Sequence, residues 1–144
     1  MYSAHRIGYL APTSPTPGPI GSYGLSSSLT YPSAITGDLD GHLWFYAAGT
    51  NRIGRMATTG ELEVYDVPTA NGTNARASIT LGPDNNIWFT KYAANQIGRV
   101  THSGSITEFT VPTRGSGPFG IVKGPDGLIW FTEAVGNKVA SIAP

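Results

Sequence analysis

The chain has no cysteine among its 144 residues, which excludes disulfides and thiolate metal centres. That absence says nothing about the compartment, because cysteine-free repeat proteins of this composition work on either side of a membrane. It also lacks an excess of charge of either sign: nine basic and nine acidic side chains cancel. The electrostatic footprint needed for nucleic acid or an anionic membrane surface is therefore missing, and neither partner is expected. No long apolar run approaches a membrane span. The residues after Met1-Tyr2-Ser3-Ala4-His5-Arg6 are rich in Pro, Ser and Gly, so no signal-peptide core is visible and localisation stays open. Helical periodicity is absent too, since no apolar pattern of period 3.6 persists over a helix's length. What is abundant is punctuation: 19 glycines and 11 prolines separate short runs of Val, Ile, Trp, Phe, Tyr and Thr. This is the pattern of an all-β chain. With 40% apolar residues it is rich enough to fill one sizeable core.

Those runs repeat. Ile35-Thr36-Gly37-Asp38 leads to His42-Leu43-Trp44-Phe45, Ile79-Thr80-Leu81-Gly82 to Ile87-Trp88-Phe89-Thr90, and Ile121-Val122-Lys123-Gly124 to Ile129-Trp130-Phe131-Thr132. The units continue in phase as Asn51-Arg52-Ile53-Gly54-Arg55, Asn95-Gln96-Ile97-Gly98-Arg99 and Asn137-Lys138-Val139. Each unit reads as four strands: A from about Ile79, B around Ile87 to Lys91, C around Gln96 to Thr101 and D around Ser105 to Val111. Asp40-Gly41, Asn85-Asn86 and Asp126-Gly127 join A to B with residues that tolerate positive φ, and Thr59-Gly60 and Ser103-Gly104 join C to D. A period of 42 to 44 residues with four antiparallel strands is that of a β-propeller blade.

His5-Arg6-Ile7-Gly8-Tyr9-Leu10 matches a C strand, so the register starts in the middle of a blade. The expected organisation is an incomplete blade over 1–34, blades over 35–78 and 79–120, and strands A to C over 121–144. That gives 13 strands, about three to three and a half blades, in an open arc, whereas rings commonly hold about four to eight. Pro12 to Pro19 reads as a proline-stiffened loop between the first C and D strands. Trp44, Trp88 and Trp130 stand in fixed phase and are expected in the core between blades.

Gly82-Pro83-Asp84, Ile87-Trp88-Phe89-Thr90, Asn95-Gln96-Ile97-Gly98-Arg99 and Gly124-Pro125-Asp126-Gly127 with Trp130-Phe131-Thr132-Glu133 resemble the streptogramin B lyase (virginiamycin B lyase) family over residues 35 to 144. The resemblance implies antibiotic-resistance chemistry: a seven-bladed propeller linearises a cyclic depsipeptide by elimination at its ester, with a histidine base and a magnesium ion. The base must reach a proton α to a carbonyl, and the cation stabilises the enolate-like charge. In the family the histidine lies two residues before the strand A isoleucine. Here those positions hold Ser33, Ala77 and Phe119. The metal-binding glutamates, four before that isoleucine and four after the strand B tryptophan, would fall on Tyr31, Ala75 and Gly117 and on Ala48, Tyr92 and Ala134. None is a histidine or a carboxylate, so no catalytic residue, metal ligand or cofactor is assigned to this chain, and magnesium is implied by the family alone.

Side chains that vary between units on the D-to-A and B-to-C loops are the candidates for substrate binding: Tyr31, Ser33, Arg76, Lys91, Tyr92, Phe119 and Glu133. An arginine, a lysine and three aromatics around one opening suit a small aromatic or acylated peptide-like ligand. His42 and His102 are expected as solvated turn residues on the opposite face, and His5 as a hydrogen-bonding counterpart of Asn51 and Asn95. Two readings remain: an inactive segment of a lyase of roughly 300 residues in seven units, or a binding or assembly module that completes a ring by pairing its open edges in a homo-oligomer.

Overall fold

The computed structural model of the chain describes residues 5–10, 20–72 and 76–144. Thirteen strands form four antiparallel sheets, as the repeat predicts, with no helix among the described residues. Blade 1 is the pair β1 (Arg6–Leu10) and β2 (Ile20–Gly24). Blade 2 runs β3 (Pro32–Gly37), β4 (His42–Ala47), β5 (Arg52–Ala57), β6 (Leu62–Asp66), and blade 3 runs β7 (Ile79–Leu81), β8 (Ile87–Lys91), β9 (Gln96–Val100), β10 (Ile106–Thr110). Blade 4 has three strands, β11 (Pro118–Lys123), β12 (Ile129–Glu133) and β13 (Lys138–Ile142). The Pro12 to Pro19 run and Ala75 lie outside the described residues.

Blades stack because strand B is apolar on both faces, and successive side chains point opposite ways. Trp44 and Tyr46 turn towards blade 3, where they meet Ile79, Ile87, Phe89 and Val100, while Phe45 and Ala47 turn back to Ile7 and Leu29. One blade later Trp88 and Ile97 repeat the first contact against Ile129 and Phe131. Trp44 and Trp88 are wholly buried, each stabilising its seam by an amount on the order of 1.5 to 3 kcal/mol or more. Trp130 departs from the expectation of a core residue. It is half-buried, with exposed Val122 and Val139 on the same face, because no blade packs against that side.

Each tryptophan is also held at its polar end. The indole N–H of Trp88 donates to Asp84 at 2.9 Å and that of Trp130 to Asp126 at 3.0 Å, four residues before each ring. In blade 2 the acceptor is instead Asp38, six residues before Trp44, at 2.8 Å. Asp38 stands in the place of Gly82 and sends its carboxylate back into the position that Asp84 fills. The Asp40 carboxylate, aligned with Asp84 in sequence, is thereby released. Burial would raise the Asp38 and Asp84 carboxyls, but the tryptophan and backbone N–H donors outweigh it and hold both below the usual range.

Candidate functional site: the mouth of the arc

The D-to-A loops and B-to-C turns meet on one rim. At each meeting a backbone N–H after strand B donates to a carbonyl before strand A: Ala48 to Tyr31 at 3.0 Å, Tyr92 to Arg76 at 3.2 Å, Ala134 to Gly117 at 3.0 Å. These bonds define which residues are structurally equivalent. Tyr31 and Gly117 share a left-handed backbone, φ 52° and 60°. That conformation is free for glycine and strained for tyrosine.

Between that carbonyl and the strand A isoleucine the blades part company. In blades 2 and 4 the register of strand A shifts, between Pro32 and Ala34 and between Pro118 and Ile121, so that one extra residue is bulged out. The bulged residues are Ser33 and Phe119, both exposed. A bulge re-aims a side chain, and here both bulged residues are left exposed on this rim. Blade 3 has no bulge: the Thr90 N–H donates to the Ser78 carbonyl in plain register. Ala77 is consequently buried, with 6% exposure, and is not a mouth residue. Counting back from the isoleucine therefore fails in blade 3, where Arg76 takes the place of Tyr31 and Gly117.

The other candidates separate in the same way. Arg76 and Tyr92 come together, the guanidinium carbon 5.9 Å from the ring centroid. Tyr31 is exposed and packs edge-on to His5 at 5.3 Å, its N–H donating to His5 Nδ1 at 3.2 Å. Ser33 Oγ donates to the Tyr46 carbonyl at 3.4 Å. Lys91 is not at the surface. It is wholly buried, donating to the Thr69 carbonyl, Gln96 Oε1 and the Glu108 carboxylate, so all three ammonium protons are used. Burial pushes the Glu108 carboxyl up and the Lys91 and Thr69 donors pull it down further, leaving it below the usual range. Glu133 occupies the same position one blade later, is 4% exposed, and faces the preceding blade beside Thr113 and Gly136.

The residues in the two slots that would hold a metal are a phenol, a guanidinium and a glycine in one, and two alanines and a phenol in the other. A hard divalent cation selects carboxylate and carbonyl oxygens. These side chains do not fit magnesium, and no chemical step is routed through it.

The opposite rim holds a grouping that single-chain spacing did not reveal. The released Asp40 carboxylate lies 3.0 Å from His102 Nδ1 across the blade 2 to blade 3 seam. Asp38 completes a set of three donor atoms lying within 4.8 Å of one another. His42 bonds to Arg55 at 3.2 Å through Nδ1. Neither histidine is the solvated turn residue expected: each is about three-quarters covered, at 28% and 26% side-chain exposure.

The sequence and the fold both match known proteins. The model of the virginiamycin B lyase family matches residues 1–144. The chain belongs to the virginiamycin B lyase family. Its fold superimposes on virginiamycin B lyase from Staphylococcus aureus with a TM-score of 0.87 at 43% identity, and on a streptogramin B lyase with 0.85 at 35%, in both cases over 97% of this chain. A catalytically inactive form of the Staphylococcus aureus lyase with quinupristin gives 0.84 at 40% identity, again over 97% of this chain. The chain spans 45% to 46% of the length of these lyases. No curated protein sequence matches it.

Proposed function

We propose that these blades are part of the scaffold of a streptogramin lyase-type propeller and that by themselves they do not open the antibiotic ring. The observation that carries this reading is the identity of the two bulged residues. Elimination starts when a base takes a proton α to a carbonyl, and in blades 2 and 4 the bulge is the place from which a side chain is re-aimed on this rim. Ser33 there gives its hydroxyl proton to a backbone carbonyl, and Phe119 has no titratable proton. Neither can act as the base. What these blades contribute is binding surface: exposed Tyr31 and Phe119, with Arg76 and Tyr92, suit a small peptide-like ligand. The test is incubation of the purified chain with a type B streptogramin and magnesium, followed by chromatography of the linear product. No product above background is expected; ring opening would overturn the proposal.

A second reading has its own support in the apolar face of blade 4, where Val122 and Val139 are 58% and 66% exposed beside Trp130. Covering that face by a second copy would take these apolar side chains out of water. Light scattering separates the two readings, since self-association predicts a dimer mass and a scaffold segment a soluble monomer.

A further inference from the structure

Blade 3 differs from its neighbours at one place on the mouth. Where it lacks the bulge, a charged residue, Arg76, fills the position that Tyr31 and Gly117 fill elsewhere, and Tyr92 stands where the other blades carry Ala48 and Ala134. The pair is built rather than loose. A Cβ placed on Gly117 would lie 2.9 Å from Tyr92 Cε2 and from Val135 Cγ2, so the ring is wedged against the backbone of the next blade beside an exposed valine. The guanidinium rests on that ring at 5.9 Å, and the Arg76 carbonyl is fixed by the Tyr92 N–H and by Asn71 Nδ2. Asn71 is itself buried and clamps the Ala93 and Ala94 N–H groups across the seam.

Three other arginines face acids: Arg52 meets Asp66, Arg55 meets Glu63 and Arg99 meets Asp84, while Arg6 donates to Ser22 Oγ and Arg114 lies exposed. Among the described residues Arg76 meets none, and residues 70–75 contain no acidic side chain. A guanidinium stacked on a ring keeps its planar fork of N–H donors free for a carboxylate, to which it is matched in shape.

We infer that Arg76 and Tyr92 form a carboxylate-binding site on the mouth, and that its ligand is an N-acylated aromatic amino acid held by its free carboxylate. The apolar part of such a ligand has exposed Val135 and Phe119 beside the same backbone to lie on. The assignment rests on the mouth being the ligand face, as proposed above. It deepens that reading, because elimination at an ester breaks the alkyl carbon–oxygen bond and leaves the departing oxygen in a free carboxylate. The site would hold the acid end of a linearised chain.

Titration of the isotope-labelled chain with N-acetyl-L-phenylalanine, its methyl ester and inorganic phosphate, followed by amide chemical shifts, tests this. The acid should shift the Tyr92 and Val135 signals, and the ester and phosphate should each bind about tenfold or more weakly, in keeping with a charge-assisted bond. Arg76→Gln should weaken the acid by about the same factor, Arg76→Lys should recover part of it, and Arg114→Gln should change nothing. Equal binding of acid and ester, phosphate as tight as the acid, or an acid affinity unaltered in Arg76→Gln would each overturn the site. Unchanged indole signals of Trp44 and Trp88 report that the variants are folded, and Tyr92→Leu, which removes the ring but not the charge, is a second variant expected to weaken the acid. Ring opening in the linearisation assay would sink the proposed function and leave this site standing; loss of carboxylate binding does the reverse.

Discussion

On the turn rim three blades solve one problem in one way, a carboxylate holding the end of a buried or half-buried indole, even where Asp38 must reach from a different position to do it. On the mouth rim the same three blades diverge: two carry a bulge, one does not, and the side chains presented are Ser33, Arg76 with Tyr92, and Phe119. The contrast separates what repeats for stability from what is free to vary. A contact made in every blade sits in the seam that holds neighbouring sheets together. The bulged side chains on the mouth, Ser33 and Phe119, are exposed and their replacement should leave the stack intact. Variants that behave alike on both rims would break this division.

The largest effect is expected at the indole the turn rim is built around. Trp88→Ala removes a wholly buried ring between blades 3 and 4 and should lower stability by about 3 to 5 kcal/mol, read from urea denaturation. Trp130→Ala, at the half-buried face, should lose less than half as much. Equal losses would mean that the blade seam does not set the value of the ring.

The fold was legible because its signals are local and recur. Tryptophan phase, the Gly and Asn turns and the short apolar runs between them lie within a few residues of one another, and thirteen strands follow from them. The bulge had a signal as well: Pro32 and Pro118, which lack an N–H to donate, stand three before the isoleucine, and Arg76 stands there in blade 3. Contacts between blades had none. Nothing near Lys91 in sequence announces that its charge is met by Glu108 and by the Thr69 carbonyl of the preceding blade, so a polar residue at a strand end looked like a mouth residue. Likewise His102 and Asp40 are brought together only by stacking, and the exposure of Trp130 depends on a neighbour that the repeat itself does not describe.

Next in size is the carboxylate. Asp84→Ala should remove about 1 to 3 kcal/mol by leaving the Trp88 N–H and the Asn86 N–H without their acceptor. Acid should mimic it. Asp38 and Asp84 have carboxyls held below their unfolded values, so their contribution is present above about pH 4 and is lost as pH falls through the folded values. The opposite sign holds at the alkaline end. Burial pushes the Tyr46 phenol from 10.0 up to about 12, so its contribution is intact below pH 10.0 and disappears as pH climbs towards 12. A denaturation midpoint flat across both windows would remove these groups from the account.

The mouth contains one position where stability should respond. Gly117→Ala places a Cβ at φ 60° and against the Tyr92 ring, and a loss of about 1 to 2 kcal/mol is expected. Ser33→Ala and Phe119→Ala, on the bulges, should stay within about 0.5 kcal/mol of the parent in the same denaturation experiment. A large loss at either would show that the bulge residue is packed and not presented.

The finest test lies within the turn rim and compares two aspartates that sequence alignment treats as the same. Asp40 and Asp84 both stand four residues before the tryptophan, yet only Asp84 holds the indole; in blade 2 that task belongs to Asp38. Asp40 is 55% exposed and among the described residues it pairs with His102, an exposed-side pair worth about 0 to 1 kcal/mol. Asp40→Ala should therefore change stability by no more than about 1 kcal/mol, whereas Asp38→Ala should match the loss of Asp84→Ala. If Asp40→Ala proves as damaging as Asp84→Ala, the takeover by Asp38 is wrong. The turn rim would then be uniform in position as well as in chemistry, and its difference from the mouth sharper still.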